Sequence, residues 1–229
     1  MTDRNKIWEA HYSEKMGIQF PYPESFVDRL LRSKMPEPAL ESQSYSGLKL
    51  LDLSCGYGRN FHLYKSLGFE LYATEISDTL VQVLENKWPD VSFGVGKAHQ
   101  LPFPDEAFNA LVACNSCYYL DEGVNFDDSL SEIARVLTSA GWFLGSIPCN
   151  THSILDNATR LRDGSYLVQN DRLDLRNGYR LYAAKTDDEV LRLLQPHFSN
   201  IKVGKIQDHF RGFKRDLFYF TCYKNVGAC

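Results

Sequence analysis

The residues most able to do chemistry lie in one run, Leu50-Leu-Asp-Leu-Ser-Cys-Gly-Tyr-Gly-Arg-Asn60. An apolar stretch ends in the acidic Asp52, and Ser54, Gly56 and Gly58 form a turn ahead of a helical pattern. Glycines in such a turn let backbone approach a ligand closely, at the carboxyl edge of the sheet where open α/β folds bind their ligands. A second acidic residue, Glu75, follows Asp52 by 23 positions in Ala73-Thr-Glu-Ile-Ser77. A carboxylate about 20 residues beyond a glycine turn accepts ribose hydroxyls, so turn and acid together point to an adenosine-containing ligand. A dinucleotide fold is the runner-up, but its third glycine is replaced here by Phe61.

These residues need strands and helices to position them, and the apolar periodicity supplies both. Buried-strand runs fall at Lys49–Leu53, Phe69–Thr74, Val91–Val95, Ala107–Cys114 and Gly141–Ile147. Helical stretches separate them, including one capped by Ser77 and another over Phe126–Leu137. Strands alternating with helices imply a parallel sheet covered on both faces. Ahead of this core, residues 1–46 read as a helical cap in which Phe26, Val27, Leu30 and Leu31 share a stripe. Pro36 and Pro38 stop that helix, and Glu41 to Gly47 reads as a polar linker. Residues 48–148 form the ligand-binding core and 151–185 an insertion with short strand-like runs at Tyr166–Gln169 and Tyr179–Ala183. Residues 186–229 hold a closing helix capped by Thr186 and two strands, Ile201–Ile206 and Leu217–Tyr223, joined by a loop. A single domain accounts for the whole chain.

The Leu50–Asn60 run, Glu75, Gly96-Lys-Ala-His-Gln-Leu-Pro-Phe103, Phe108-Asn-Ala-Leu-Val112 and Ala134-Arg-Val-Leu-Thr-Ser-Ala-Gly-Trp-Phe-Leu144 occur in this order. As a set, over roughly residues 45–148, they resemble class I S-adenosylmethionine-dependent methyltransferases. The resemblance implies a Rossmann-like, seven-stranded, mostly parallel sheet with helices on both faces and an antiparallel last strand. It implies S-adenosylmethionine as cofactor, with Asp52, Ser54, Gly56 and Gly58 around the methionine part and Glu75 on the ribose. Ile76 would pack on the adenine, Ala98 and His99 would border its edge, and Asn115 would sit near the sulfonium. A Trp-x-x-x-Tyr start makes Trp8 and Tyr12 candidates for a lid. Three positions depart from the family pattern: Ser54 where glycine is usual, expected to keep a negative φ, and Lys97 and Asn109 where aspartates are frequent.

Methyl transfer from a sulfonium needs an aligned acceptor and exclusion of water, with a base only where the acceptor must lose a proton. His152, directly after the fifth strand, is the first candidate base, with His11 and His99 as rivals. Tyr118 and Tyr119, just past the fourth strand, would shape the acceptor pocket. From Arg160 to Asp216 there are 12 Lys+Arg against 8 Asp+Glu, leaving 13 against 21 elsewhere. That asymmetry marks Arg172, Arg176, Arg180, Arg211 and Arg215 as candidate contacts to an anionic acceptor. The expected reaction is methylation of a hydroxyl oxygen on a small phosphorylated or nucleotide-linked metabolite or sugar, with an amine or thiol acceptor as the alternative. From other classes, an NAD-binding oxidoreductase and an inactive cofactor-binding protein on the same fold remain open.

Composition narrows the rest. A formal net charge of −4 disfavours nucleic acid as partner. No apolar run approaches the ~20 residues of a membrane helix, and the first residues show no signal-peptide core, so a cytoplasmic protein without membrane association is expected. Six cysteines are expected to be free thiols. Cys114-x-x-Cys117 lacks the second pair that a zinc site would need, so no metal is expected.

Overall fold

A computed structural model describes residues 4–17, 22–32 and 44–225. Pro36, Pro38, the first part of the expected linker and Cys229 lie outside the described residues.

The alternation read from the sequence folds as β1 (Lys49–Asp52), α3 (Phe61–Ser66), β2 (Glu70–Glu75), α4 (Asp78–Lys87), β3 (Ser92–Val95) and β4 (Phe108–Ala113). A short β5 (Tyr119–Leu120) precedes α5 (Phe126–Val136) and β6 (Leu137–Pro148). Ahead of these lie α1 (Arg4–Lys15) and α2 (Ser25–Arg32), and α2 buries Phe26, Val27 and Leu31 as its stripe requires. Ser77 caps α4 through the Leu80 N–H, and Thr186 caps the closing helix α6 (Asp187–Leu194) through the Glu189 N–H. The capping box of Asn125 and Asp128 on α5 was missed in the sequence although both residue types favour that position.

Leu50 and Leu51 belong to opposite cores, as strand alternation demands. Leu51 joins Leu111, Phe143, Leu130 and Ile133 on the face covered by α5, while Leu50 joins Val112, Leu144, Phe61 and Tyr64 on the face covered by α3. The sheet order is β10-β11-β6-β4-β1-β2-β3, with β10 (Phe198–Phe210) and β11 (Phe213–Lys224) from the closing segment. Pairing is parallel among β6, β4, β1, β2 and β3, and β11 runs antiparallel to both β6 and β10. The chain builds outward from β1 through β3, then crosses to β4 on the other side of β1. That reversal opens a crevice beyond the carboxyl ends of β1 and β4.

Two features depart from expectation. β10 and β11 are longer than the runs at Ile201–Ile206 and Leu217–Tyr223, and only Arg211 and Gly212 join them, with φ of 48° and 77°. Positive φ at both turn positions matches the right-handed twist of a two-residue hairpin. The segment after β6 contributes β7 (Thr159–Arg160), β8 (Tyr166–Leu167) and β9 (Arg180–Leu181), which join β5 in a second sheet of order β5-β9-β8-β7. This small sheet stands beside the crevice and brings Tyr119 to it.

Candidate active site

A cavity of about 370 Å³ opens at the β1–β4 crevice, within the size range of small-molecule sites. β1 delivers Asp52, the following turn Ser54 and Gly56, β2 Glu75 and Ile76, and the segment after β3 Ala98 and His99. Asn115, Tyr118 and Tyr119 enter beyond β4. α1 covers the opening with Asn5, Trp8, Tyr12 and Lys15, whose spacing places them on one helical face.

The turn is held from β2. Ser54 N–H donates to Thr74 Oγ1 at 3.1 Å, and Cys55 N–H donates to the Thr74 carbonyl at 3.0 Å. Under these constraints Ser54 takes φ of 53°, against the negative value expected. A left-handed serine costs roughly 1–2 kcal/mol, and the two anchoring hydrogen bonds offset it. Gly56 has φ of 63°, and a Cβ there would stand 3.0 Å from the Tyr12 ring, so glycine is what lets α1 close down on the turn. Gly58 is not part of the cavity wall. Its φ is 78°, and a Cβ would lie 2.7 Å from the fully buried Phe61 ring. It is a packing glycine, and Phe61 occupies the space that a third glycine would leave.

Glu75 is buried, accepting from Gly56 N–H at 2.5 Å and from Ile76 N–H at 3.1 Å. Burial pushes its pKa up to about 7, with the two backbone donors opposing the shift. Asp52 is also buried, and burial together with the Glu75 charge raises its pKa well above the usual carboxylate range. Its Oδ2 has no hydrogen-bond partner. Two buried acceptors side by side suit a ligand that brings hydroxyl donors and a cation, because a cation relieves their repulsion. His99 stands 3.6 Å from Asp121 through Nε2 and keeps a buried, unpartnered Nδ1. Lys97 also pairs with Asp121, which turns its ammonium away from the role of the family's aspartate. Asn115 is fixed by Ser146, its N–H donating to Ser146 Oγ at 2.9 Å while its Oδ1 accepts from that hydroxyl at 3.1 Å.

His152 is not among the cavity-lining residues. It precedes a short 3-10 turn (Ser153–Leu155), and its Nδ1 accepts the Ile154 N–H at 3.1 Å. Burial and the charges of Arg176 and Arg215 push its pKa down to about 4, too low for a base at neutral pH. The assignment of His152 as catalytic base is therefore corrected to a turn-capping role. Both rivals, His11 and His99, do line the cavity.

The five arginines do not converge. Arg172 is exposed and donates to the Gly212 carbonyl at 3.3 Å, and Arg211 sits at the hairpin tip above Phe210. Arg180 pairs with Asp163 and donates to the Asp121 carbonyl, while Arg215 pairs with the buried Glu24. Only Arg176 reaches the cavity. Carboxylates neutralise Arg180 and Arg215, a pairing that charge counting cannot see, while Arg172 and Arg211 lie away from the cavity. Arg59, also paired with Glu24, lines the cavity together with Tyr179 and was missed. Arg59 adjoins the turn and was open to inference, whereas Tyr179 carries no sequence signal.

Cys114 and Cys117 are free thiols, with burial pushing both up to about 12. Among the described residues, no three His, Cys, Asp or Glu side chains are grouped to hold a metal, and no helix is long and apolar enough to cross a membrane.

Comparison with known proteins agrees with this geometry. Residues 51–145 match the methyltransferase domain family. The chain is similar to the demethylmenaquinone methyltransferase of Paenarthrobacter aurescens, at 36% identity over 95 residues covering 42% of this chain and 36% of that protein. It is similar also to the fatty-acid O-methyltransferase of Mycolicibacterium smegmatis, at 26% identity over 140 residues covering 58% and 49%. The matched stretch thus spans about a third to a half of these relatives. In fold it resembles a SAM-dependent methyltransferase from Methanosarcina mazei, with TM-score 0.63 at 15% identity, covering 90% of this chain and 99% of that one. The fold is the Rossmann-like fold of class I methyltransferases, and the core matches their methyltransferase domain. Residues 51–145 are a methyltransferase domain of that S-adenosylmethionine-dependent family, as the motifs implied. The residues present fit the cofactor: Glu75 for its ribose hydroxyls and the unpartnered Asp52 Oδ2 for its ammonium.

Proposed function

We propose that this protein transfers the methyl group of S-adenosylmethionine to a hydroxyl oxygen of a small acceptor. The observation that carries this reading is one cavity lined by two chemically distinct sets of groups. Asp52 and Glu75 are buried acids, and Trp8, Tyr118, Tyr119 and Tyr179 are aromatic rings. Bound cofactor supplies an already activated methyl group; the residues supply alignment and shelter from water. In this reading Asp52 and Glu75 hold the donor, and Asn115, locked by Ser146, supplies a fixed polar group on the cavity wall. His11 is the proton acceptor in this reading, since burial and the neighbouring Lys15 and Arg176 charges lower its pKa and keep its imidazole neutral at pH 7. The dispersal of four of the five arginines removes the support for a phosphorylated acceptor. The demethylmenaquinone and fatty-acid relatives act on acceptors with apolar bodies, which agrees with an aromatic wall. A cavity of about 370 Å³ favours a small molecule over nucleic acid or a membrane surface as partner.

Calorimetric titration with S-adenosylhomocysteine and with NAD, followed by a metabolite screen with methyl-labelled cofactor, tests the reading. Binding of the first nucleotide alone and labelled product are expected; binding of NAD alone would reject it. His11→Gln should bind S-adenosylhomocysteine normally yet lose roughly 10²–10⁴-fold in kcat. Wild-type turnover in that variant would remove His11 as the base.

A further inference from the structure

Arg176 is the one arginine of the insertion that reaches the cavity, and its surroundings hold it in place. Nε donates to Tyr119 Oη at 3.0 Å, and Nη1 lies 3.4 Å from Asp171 Oδ2. The guanidinium carbon stands 5.6 Å above the Trp8 ring. The same Oδ2 is shared, because it also accepts the backbone N–H groups of Leu175 and Arg176 at 3.0 and 3.2 Å. The remaining nitrogen, Nη2, has no hydrogen-bond partner among the described residues, although 18% of the side chain is exposed. Its charge is only partly neutralised: the same guanidinium holds down the pKa of His11, Lys15 and His152.

The groups around Arg176 are flat and apolar. Tyr118 and Tyr119 stack with centroids 4.9 Å apart, Tyr179 meets Tyr119 edge-on at 5.5 Å, and Trp8 meets it edge-on at 6.2 Å. A rigid guanidinium with free N–H donors recognises a carboxylate, and aromatic walls recognise a planar ring. Of the other cations lining the cavity, Arg59 pairs with Glu24, Lys97 pairs with Asp121 and Lys15 lies over the Tyr57 ring, so Arg176 is the guanidinium left to a ligand, suited to a monoanion rather than to a phosphate.

We propose that the acceptor is a hydroxylated aromatic carboxylate, with Arg176 as the anchor of its carboxylate and the specificity-determining residue of the site. The proposal rests on the methyltransferase reading above. The acceptor hydroxyl oxygen forms the new C–O bond as the donor's S–CH₃ bond breaks. The hydroxyl proton passes to His11, and S-adenosylhomocysteine leaves.

The experiment titrates protein saturated with S-adenosylhomocysteine with 3,4-dihydroxybenzoate and 4-hydroxycinnamate, and with the methyl ester of each. The acids should bind at least roughly ten-fold more tightly than their esters, the value of one charge-assisted hydrogen bond. Arg176→Gln should abolish that preference while weakening S-adenosylhomocysteine no more than loss of its contact with Trp8 does in Trp8→Ala. Arg176→Lys should restore part of it, since a point charge lacks the fork. Equal binding of acid and ester, or no binding of any acid, overturns the proposal without any variant having to fold. A loss of S-adenosylhomocysteine affinity in Arg176→Gln larger than that in Trp8→Ala also overturns it, because the arginine then serves the cofactor. Failure of the wild-type protein to bind S-adenosylhomocysteine is a separate result that removes the methyltransferase reading itself.

Discussion

Glu75 and His152 show how burial tunes single residues in opposite directions. The folded pKa of Glu75, about 7, lies above its ordinary 4.5, so between these values the folded chain keeps a proton that the unfolded chain has released. Stability is full below pH 4.5 and is lost as pH rises through 7. Without ligand, Glu75→Gln should therefore gain on the wild type between pH 4.5 and 8, by up to about 3 kcal/mol. Urea unfolding at both pH values checks this, and a pH-independent difference would show that Glu75 ionises freely. The same variant should weaken S-adenosylhomocysteine binding by roughly 1.5–3 kcal/mol, the value of hydrogen bonds to a charged acceptor. His152 runs the other way. Its folded pKa of about 4 lies below the ordinary 6.5, so its contribution is present above pH 6.5 and lost as pH falls through 4. His152→Asn keeps an oxygen to cap Ile154. It should leave turnover unchanged and flatten the fall in stability between pH 6.5 and 4; a collapse of kcat would return His152 to the chemistry.

At the scale of elements, α1 is the part whose docking and ligand binding are one event. Its contacts with the body run through Tyr12 against Gly56, Arg176 over Trp8, and Asn5 Nδ2 donating to the Ile76 carbonyl at 3.5 Å. All of these partners line the cavity, and none belongs to the hydrogen-bonded sheet ladder except through its loops. An element held this way opens at lower free energy than the sheet it covers. Trp8→Ala should therefore leave the main urea transition in place while weakening S-adenosylhomocysteine by about 1.5–3 kcal/mol, the burial value of a large apolar side chain. An unchanged Kd would mean that α1 does not cover the bound cofactor.

Across the whole molecule, one buried carboxylate joins segments far apart in the chain. Glu24, 3% exposed, pairs with Arg59 after the glycine turn and with Arg215 on β11, and its own N–H donates to Asn60 Oδ1 at 2.9 Å. Removing its charge leaves two cations facing each other. Because both arginines are about 30% exposed, the cost belongs at the lower end for a broken buried pair, about 3 kcal/mol. Thermal unfolding of Glu24→Gln measures it, and an unshifted Tm would mean that solvent already screens the pair. Cofactor affinity should fall in the same variant, since Arg59 borders the cavity.

Local patterns were enough to predict the alternation of strands and helices in the core, the caps at Ser77 and Thr186, and the pairing of the glycine turn with Glu75. Each depends on neighbours within a few residues or on the period of the apolar positions, both of which are written in the chain. The roles of His152, Gly58 and the arginines could not be read that way. A histidine after a strand edge is the same in sequence whether it faces a ligand or caps a turn, and only the fold turns His152 Nδ1 onto Ile154. An arginine's charge is available to a ligand only if no carboxylate reaches it first. Those carboxylates, Glu24 for Arg215 and Asp163 for Arg180, are brought in by tertiary contacts spanning 191 and 17 residues. Long-range packing, which no local pattern encodes, left Arg176 as the one of the five candidate arginines that faces the cavity.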